Sequence, residues 1–288
     1  MKVLVTGANG QLGSCLRLAS GNSSHEFIFT DVAELDICDA LRVRDFVVSN
    51  SVDAIVNCAG YTNVDAAEDD EALALRINAD AAENLALAIK ERDGLLIHIS
   101  TDYVFGGEAH SSPISEDEEP APLGAYGRSK LLGERKVAAS GCKYVILRTA
   151  WLFSEFGKNF VKTMLRLTSE RPQIQVVCDQ NGTPTYAGDL AAVILTILDD
   201  YSANSAAYPR TGIYNYTDEG SCSWYEFACA IAEEAGNLSC DIRPCRTDEY
   251  PSKARRPAYS VLDKSKIKNT FGIAIPHWTT ALKTCLEK

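Results

Sequence analysis

The chain has 288 residues, 46% hydrophobic and 23% charged, enough apolar material to bury a sizeable core in one large domain or two smaller ones. A net charge of -11 with no basic block excludes attachment to nucleic acid or an anionic membrane by general attraction. No apolar run reaches the length of a membrane span, the first residues lack signal-peptide features, and the ten cysteines include no C-x-x-C pair, so a cytoplasmic protein with reduced thiols is expected.

Residues 2–6 are a short β-branched and leucine run that reads as a buried strand. It meets Gly7-Ala8-Asn9-Gly10-Gln11-Leu12-Gly13, and residues 14–20 then read as a helix. Strand, three glycines and helix form the context of a dinucleotide cradle. The glycines allow a tight turn and close approach of a pyrophosphate, and the helix N-terminus offers N–H donors. Gly7, Asn9, Gly10, Gln11, Leu12 and Gly13 are therefore candidate cofactor contacts, although the spacing is G-x-x-G-x-x-G. Residues 26–30 read as the second strand. Asp31 follows, about 20 positions past the glycines, where an acid takes ribose hydroxyls. Asp36, with Ile37 beside it, is placed near the adenine.

Residues 40–49 have helical spacing and residues 53–58 read as the third strand. Cys58-Ala59-Gly60 keeps the end of that strand small, as backbone contact with a cofactor requires. Residues 61–65 form a polar loop where ligands bind in open α/β sheets. Two helices are expected at 66–78 and 79–92, then a strand at 95–100 that delivers Thr101.

Residues 106–123 are polar and proline-containing, hence a loop, and residues 125–140 read as a helix. Tyr126 and Lys130 are four apart and stack on one face of that helix. A free phenol has a pKa of about 10, and a lysine ammonium close by would lower it, giving an acid suited to a ketone oxygen. Thr101 offers a hydroxyl to the same oxygen.

After a strand at 144–149 the regular alternation loosens. A helix is expected at 159–168, a strand at 173–178, a helix at 187–199 and a strand at 212–216. Ser223-Trp224-Tyr225-Glu226 is a capping-box pattern opening a helix to 235. The expectation is an α/β protein with a doubly wound parallel sheet over residues 1–150 and a smaller α/β substrate domain over 151–288, with the segment near 187–217 packing back on the first. Lys253-Ala254-Arg255-Arg256-Pro257 is a concentrated basic spot suited to a phosphate.

The strings TGANGQLG, NCAGYTNVDAAE, STDYVF, YGRSK, RTAWLF, NFVKTMLRL and DQNGTPT resemble the dTDP-4-dehydrorhamnose reductase family of extended short-chain dehydrogenase/reductases. The resemblance runs from Val3 to about Trp278. It implies a Rossmann fold, NADH or NADPH as cofactor, and a dTDP-sugar as substrate: hydride transfer to C4 of dTDP-6-deoxy-L-lyxo-4-hexulose. It implies Thr101, Tyr126 and Lys130 as the catalytic trio, and Thr62, Val64, Tyr103 and Trp151 at the sugar; Asp102 and Arg256 join them as candidates. Two other readings stay open: another sugar-nucleotide epimerase or dehydratase, and a nucleotide-binding regulatory subunit. Related dehydratases carry a glutamate where Tyr103 stands, and the intact trio speaks against a regulatory subunit. Some relatives form dimers bridged by magnesium on carboxylates. The matching positions here, Cys15 and Gly188, offer no hard oxygen ligand. Asp189 is turned by roughly 100° from the needed position. A metal-independent monomer or weak homodimer is therefore expected.

Overall fold

The computed structural model describes residues 1–108, 110–205 and 208–288. The expected loop at 106–123 and the expected returning segment near 187–217 each include positions outside these residues.

The first half is a repeating strand–helix chain: β1 (Lys2–Thr6), α1 (Gln11–Ala19), β2 (Glu26–Phe29), α2 (Ala40–Ser49) and β3 (Ala54–Asn57), then α3 (Val64–Ala67), α4 (Glu71–Leu75) and α5 (Ala81–Lys90). β4 (Leu95–Thr101), α6 (Ala125–Ser140) and β5 (Lys143–Thr149) complete it. The second half continues with β6 (Leu152–Phe153), α7 (Phe160–Glu170), β7 (Gln173–Val177), β8 (Asn181–Gly182), β9 (Thr185–Tyr186), α8 (Ala187–Asn204) and β10 (Gly212–Asn215). It closes with β11 (Cys222–Ser223), α9 (Trp224–Glu234), β12 (Asp241–Cys245), α10 (Ser265–Phe271) and α11 (Trp278–Leu286).

Six strands form one parallel sheet in the order β10-β5-β4-β3-β1-β2. Its central strands are apolar on both faces because helices cover both. Alternation along β1 shows this: Val3 and Val5 join the cluster under α1 and α8, while Leu4 joins the cluster under α2 and α5. α8 buries Leu190, Ile194 and Ile197 against that first face. A separate apolar cluster, including Val161, Met164, Ile174, Phe227, Ile231 and Leu282, gathers α7, α9 and α11 around the parallel pair β7–β12.

From β1 the chain passes to β2 on one side and to β3 on the other. This reversal opens a crevice at the carboxyl ends of the strands. Two local expectations are corrected. α1 begins at Gln11, so the last glycine lies inside the helix. The helix expected at 66–78 breaks after Ala67, because Asp70 caps a new helix by accepting from the Leu73 N–H at 3.0 Å. A π turn, Arg76–Asp80, then joins α4 to α5. No helix among the described residues is long and apolar enough to cross a membrane.

Candidate active site

A cleft of ≈ 820 Å³ opens at the crevice and runs from Gly7 and Asp31 past Tyr126 to Trp151, Trp224 and Arg256. Of the residues expected at the cofactor or the sugar nucleotide, Asn9 and Gly13 are the two off its wall: Gly13 is buried behind the loop, and Asn9 faces solvent.

The cradle end follows from its glycines. Gly7 has φ +62°, and a Cβ there would lie 2.6 Å from the Ala59 nitrogen, so no side chain fits where β1 and β3 part. Gly10 precedes α1 with no side-chain cap, leaving the first helical N–H groups to a ligand. At β2's end the Asp31 carboxylate accepts from the N–H groups of Asn9 (3.0 Å) and Val32 (2.8 Å), which ties the glycine loop to the acid. Asp36, Ile37 and Cys38 line the same end with Arg76. This donor set fits a dinucleotide: bare backbone N–H groups for phosphate, an acid for ribose and an apolar slot.

A buried polar chain sets the turn beyond β3. The Thr6 hydroxyl donates to Asn57 Oδ1 (2.7 Å), which also accepts from the Ala59 N–H (3.2 Å), while Asn57 Nδ2 bonds His98 Nδ1 (3.0 Å). Asn78, in the π turn, accepts from the Tyr61 N–H (2.8 Å) and donates to the Tyr61 carbonyl (3.0 Å) and the Ser129 hydroxyl (2.9 Å). It thereby links the 58–62 loop to α6. Sequence reading missed Asn78, since one asparagine inside a helical stretch carries no signal of its partners.

α6 brings Tyr126 and Lys130 to the cleft, and β4 delivers Thr101. The Thr101 hydroxyl donates to Asp102 Oδ1 at 3.0 Å and accepts from the Tyr103 N–H at 3.2 Å. The spacing argument led to a lowered phenol, but here the Tyr126 phenol is pushed up. Burial dominates, and the Thr101 hydroxyl offsets it only in part. The reason is the direction of the lysine. Lys130 Nζ donates to the Ile99 carbonyl at 2.6 Å, and burial pushes it down to about 8 while Glu134 pulls it upward. Asp102 is buried, with one carboxyl oxygen unpartnered, and burial pushes it up to about 6.

The far end carries Thr62, Val64, Tyr103 and Trp151. Trp151 has φ +47°, a costly conformation for a large side chain. Its indole is held flat on Trp224, with centroids 3.5 Å apart and planes at 10°. Gly182 lies against it so closely that a Cβ there would meet the ring at 2.6 Å. Trp224 was not foreseen from sequence as a site residue. It is the first residue of α9, and the capping box explains that helix start without pointing to a ligand. Arg256 reaches across the cleft, 3.1 Å from the Tyr103 hydroxyl and 3.1 Å from Asp65. A second cavity of ≈ 380 Å³ shares Trp224 and Arg256 and is lined further by Phe160, Met164, Gln180 and Tyr250.

The magnesium positions take a different form. Cys15 is buried and its thiol is pushed up to about 12, chiefly by burial. Lys288 Nζ donates to the Tyr186 hydroxyl (2.8 Å) and lies 3.8 Å from Glu155. Two carboxylates, Glu155 and Asp189, also act on the Cys15 thiol, so Asp189 lies closer than its helical turn suggested, but the Lys288 ammonium acts on both and stands where a dication's charge would be needed.

Comparison with known proteins agrees over the whole length. The family model described as the RmlD substrate binding domain matches residues 1–288. A dTDP-4-dehydrorhamnose reductase of Aggregatibacter actinomycetemcomitans is 41% identical over 289 residues, covering 98% of this chain and 97% of that protein. The crystal structure of a dTDP-4-dehydrorhamnose reductase from Clostridium acetobutylicum superposes with a TM-score of 0.93 at 42% identity, covering 100% and 99%. That of a dTDP-4-dehydrorhamnose reductase from Bacillus anthracis in complex with NADP gives 0.92 at 37%, covering 99% and 98%. With a glycine cradle, a Thr–Tyr–Lys wall and an aromatic far end in one cleft, and with these full-length likenesses, the chain belongs to the dTDP-4-dehydrorhamnose reductase family.

Proposed function

We infer that this protein reduces the C4 ketone of dTDP-6-deoxy-L-lyxo-4-hexulose to the alcohol of dTDP-L-rhamnose. The observation that carries the reading is the single cleft in which Thr101, Tyr126 and Lys130 stand between the glycine loop and Arg256. The bound nicotinamide supplies the hydride. The chain supplies the rest: Tyr126 donates the proton to the ketone oxygen, Thr101 orients that oxygen, and Lys130 holds the nicotinamide ribose. A phenol kept protonated by burial is in the correct state to donate. When Lys130 leaves the Ile99 carbonyl for the ribose, its ammonium comes to favour the phenolate that results.

Thr62, Val64, Asp102, Tyr103 and Trp151 are assigned to the sugar and Arg256 to the diphosphate, whose oxygens suit a guanidinium fork. The adjoining cavity leaves room for the nucleoside. A tyrosine at 103, held by Arg256 and pushed up to about 12 chiefly by burial, is no base for elimination, which favours reduction over dehydration.

On the cofactor, Asp31 favours free ribose hydroxyls over a 2′-phosphate. Of the two arginines able to fold back on it, Arg44 is engaged with Glu91 at 2.8 Å, and Arg42 reaches the Glu34 carbonyl at 3.5 Å. NADH is therefore used at least as well as NADPH. No metal is assigned to the reaction, and the protein is a monomer or a weak homodimer.

The test is a direct assay of the protein with NADH or NADPH and the dTDP-4-keto sugar, followed at the nicotinamide absorbance, with the product identified by NMR. Loss of absorbance with formation of dTDP-L-rhamnose is expected. A stable absorbance with both cofactors refutes the reading.

A further inference from the structure

α6 and β4 meet at three points. Tyr126, Lys130 and Glu134 are successive fourth residues, so they make one stripe along α6, and all are buried. β4 answers with three consecutive residues. Thr101 lies beside the Tyr126 hydroxyl, the Ile99 carbonyl accepts from Lys130 at 2.6 Å, and the Ser100 hydroxyl donates to Glu134 Oε1. Glu134 also receives a two-pronged bond from Arg148 on β5, Nε at 3.0 Å and Nη2 at 2.7 Å, with both side chains 2% exposed. The Arg148 guanidinium is held in turn 5.0 Å from the Phe105 ring centroid. Attraction within a pair so fully removed from water barely recovers the lost solvation, so the pair adds little net stability. What it does supply is a fixed point under the helix that carries the reactive side chains.

We propose that Glu134 is a positioning residue for the Tyr126–Lys130 pair: anchored by Arg148 and Ser100, it fixes α6 against β4 and sets a carboxylate one helical turn from Lys130. The inference rests on the roles given above to Tyr126 and Lys130. Lys130 shares the cleft wall with Tyr126 of α6 and with Asp102 at the start of the loop after β4. Glu134 acts on it from α6, and Arg148 of β5 is bonded to that carboxylate. β4 itself contributes His98, whose imidazole burial and Lys130 together hold well below its usual value, hence neutral. Burial drives Lys130 down and the Glu134 carboxylate opposes that. Without the carboxylate the lysine falls further, and the ammonium is lost from a lower pH upward.

The experiment titrates Lys130 in the apoprotein by NMR with 13Cε-labelled lysine, the signal being assigned by its loss in Lys130→Met. Glu134→Gln alone strands the Arg148 charge, so the variant used is the pair Glu134→Gln with Arg148→Met, alongside Glu134→Asp. Removing the Arg148 charge together with the carboxylate offsets part of the effect, so in the double variant the Lys130 midpoint should fall by roughly a few tenths of a pH unit, and the alkaline limb of kcat/KM should move acidward with it. Glu134→Asp keeps the charge but draws it back by one methylene. It should hold the midpoint near the wild-type value while kcat falls several-fold. An unmoved midpoint in a folded double variant, or an unchanged kcat in Glu134→Asp, overturns the proposal. If instead the wild-type alkaline limb fails to follow the Lys130 titration, the catalytic role of Lys130 is what fails, and the apoprotein midpoints still decide whether Glu134 holds its charge.

Discussion

Arg256 and Asp65 face one another across the mouth of the cleft at 3.1 Å, joining a late loop of the chain to the first turn of α3. The contact is not isolated. Asp65 also accepts from the Ala254 N–H at 3.0 Å and the Ser252 hydroxyl at 3.2 Å, and Lys253 pairs with Asp69 at 2.7 Å. Arg256 is thereby fixed at the junction of the two cavities, where a diphosphate linking sugar and nucleoside would pass.

Arg256→Ala should therefore raise KM for the sugar nucleotide and leave cofactor affinity unchanged. Loss of a charge-assisted bond of roughly 1.5–3 kcal/mol corresponds to a rise of about 10- to 100-fold. Steady-state kinetics with the sugar nucleotide varied is the check. Unaltered KM would assign the 253–257 cluster to solvated surface.

Tyr126→Phe removes the proton donor and keeps the ring. Turnover should drop on the order of 100- to 10,000-fold, the usual cost of losing a general acid. Binding of the reduced cofactor, followed by its fluorescence, should persist. A variant with a near wild-type rate would end the assignment.

Cofactor choice tests Asp31. kcat/KM for NADH should equal or exceed that for NADPH, because Asp31 repels a 2′-phosphate. Asp31→Asn should shift the ratio toward NADPH. A strong wild-type preference for NADPH would show that Arg76, on the same wall, outweighs the carboxylate.

Dialysis against EDTA should leave activity and solution mass unchanged. The physical ground is the chemistry at Cys15, Gly188 and Lys288, a neutral thiol, no side chain and an ammonium. Activity that collapses and returns with magnesium would overturn this reading.

The residues alone disclosed the fold class because its signals are local. Val3, Leu4 and Val5 run apolar into Gly7, and only a glycine tolerates φ +62° against Ala59. Tyr126 and Lys130 stood out only together with the glycine turn and the Thr101 strand, since a Tyr and a Lys four apart are common by chance. Breaks in helices were harder. Asp70 looks like any surface acid until its side chain is seen capping Leu73. Nor could spacing reveal which way a side chain turns. Lys130 was expected to lower the Tyr126 phenol, but its ammonium is taken by a β4 carbonyl and burial governs both groups.

What local pattern settled is thus the strand order of the first half and the glycine turn, since these depend on backbone allowance and periodicity over a few positions, whereas the short strands β6, β8, β9, β11 and β12 and the helices α10 and α11 went unread. Tertiary structure decided the rest. Trp224 lies on Trp151 across 73 residues of chain, Arg256 reaches Tyr103 across 153, and Glu134 meets Ser100 and Arg148 beneath α6. Such pairings depend on how whole layers pack, and low-dielectric burial then fixes the protonation states, so neither can be read from neighbours in sequence.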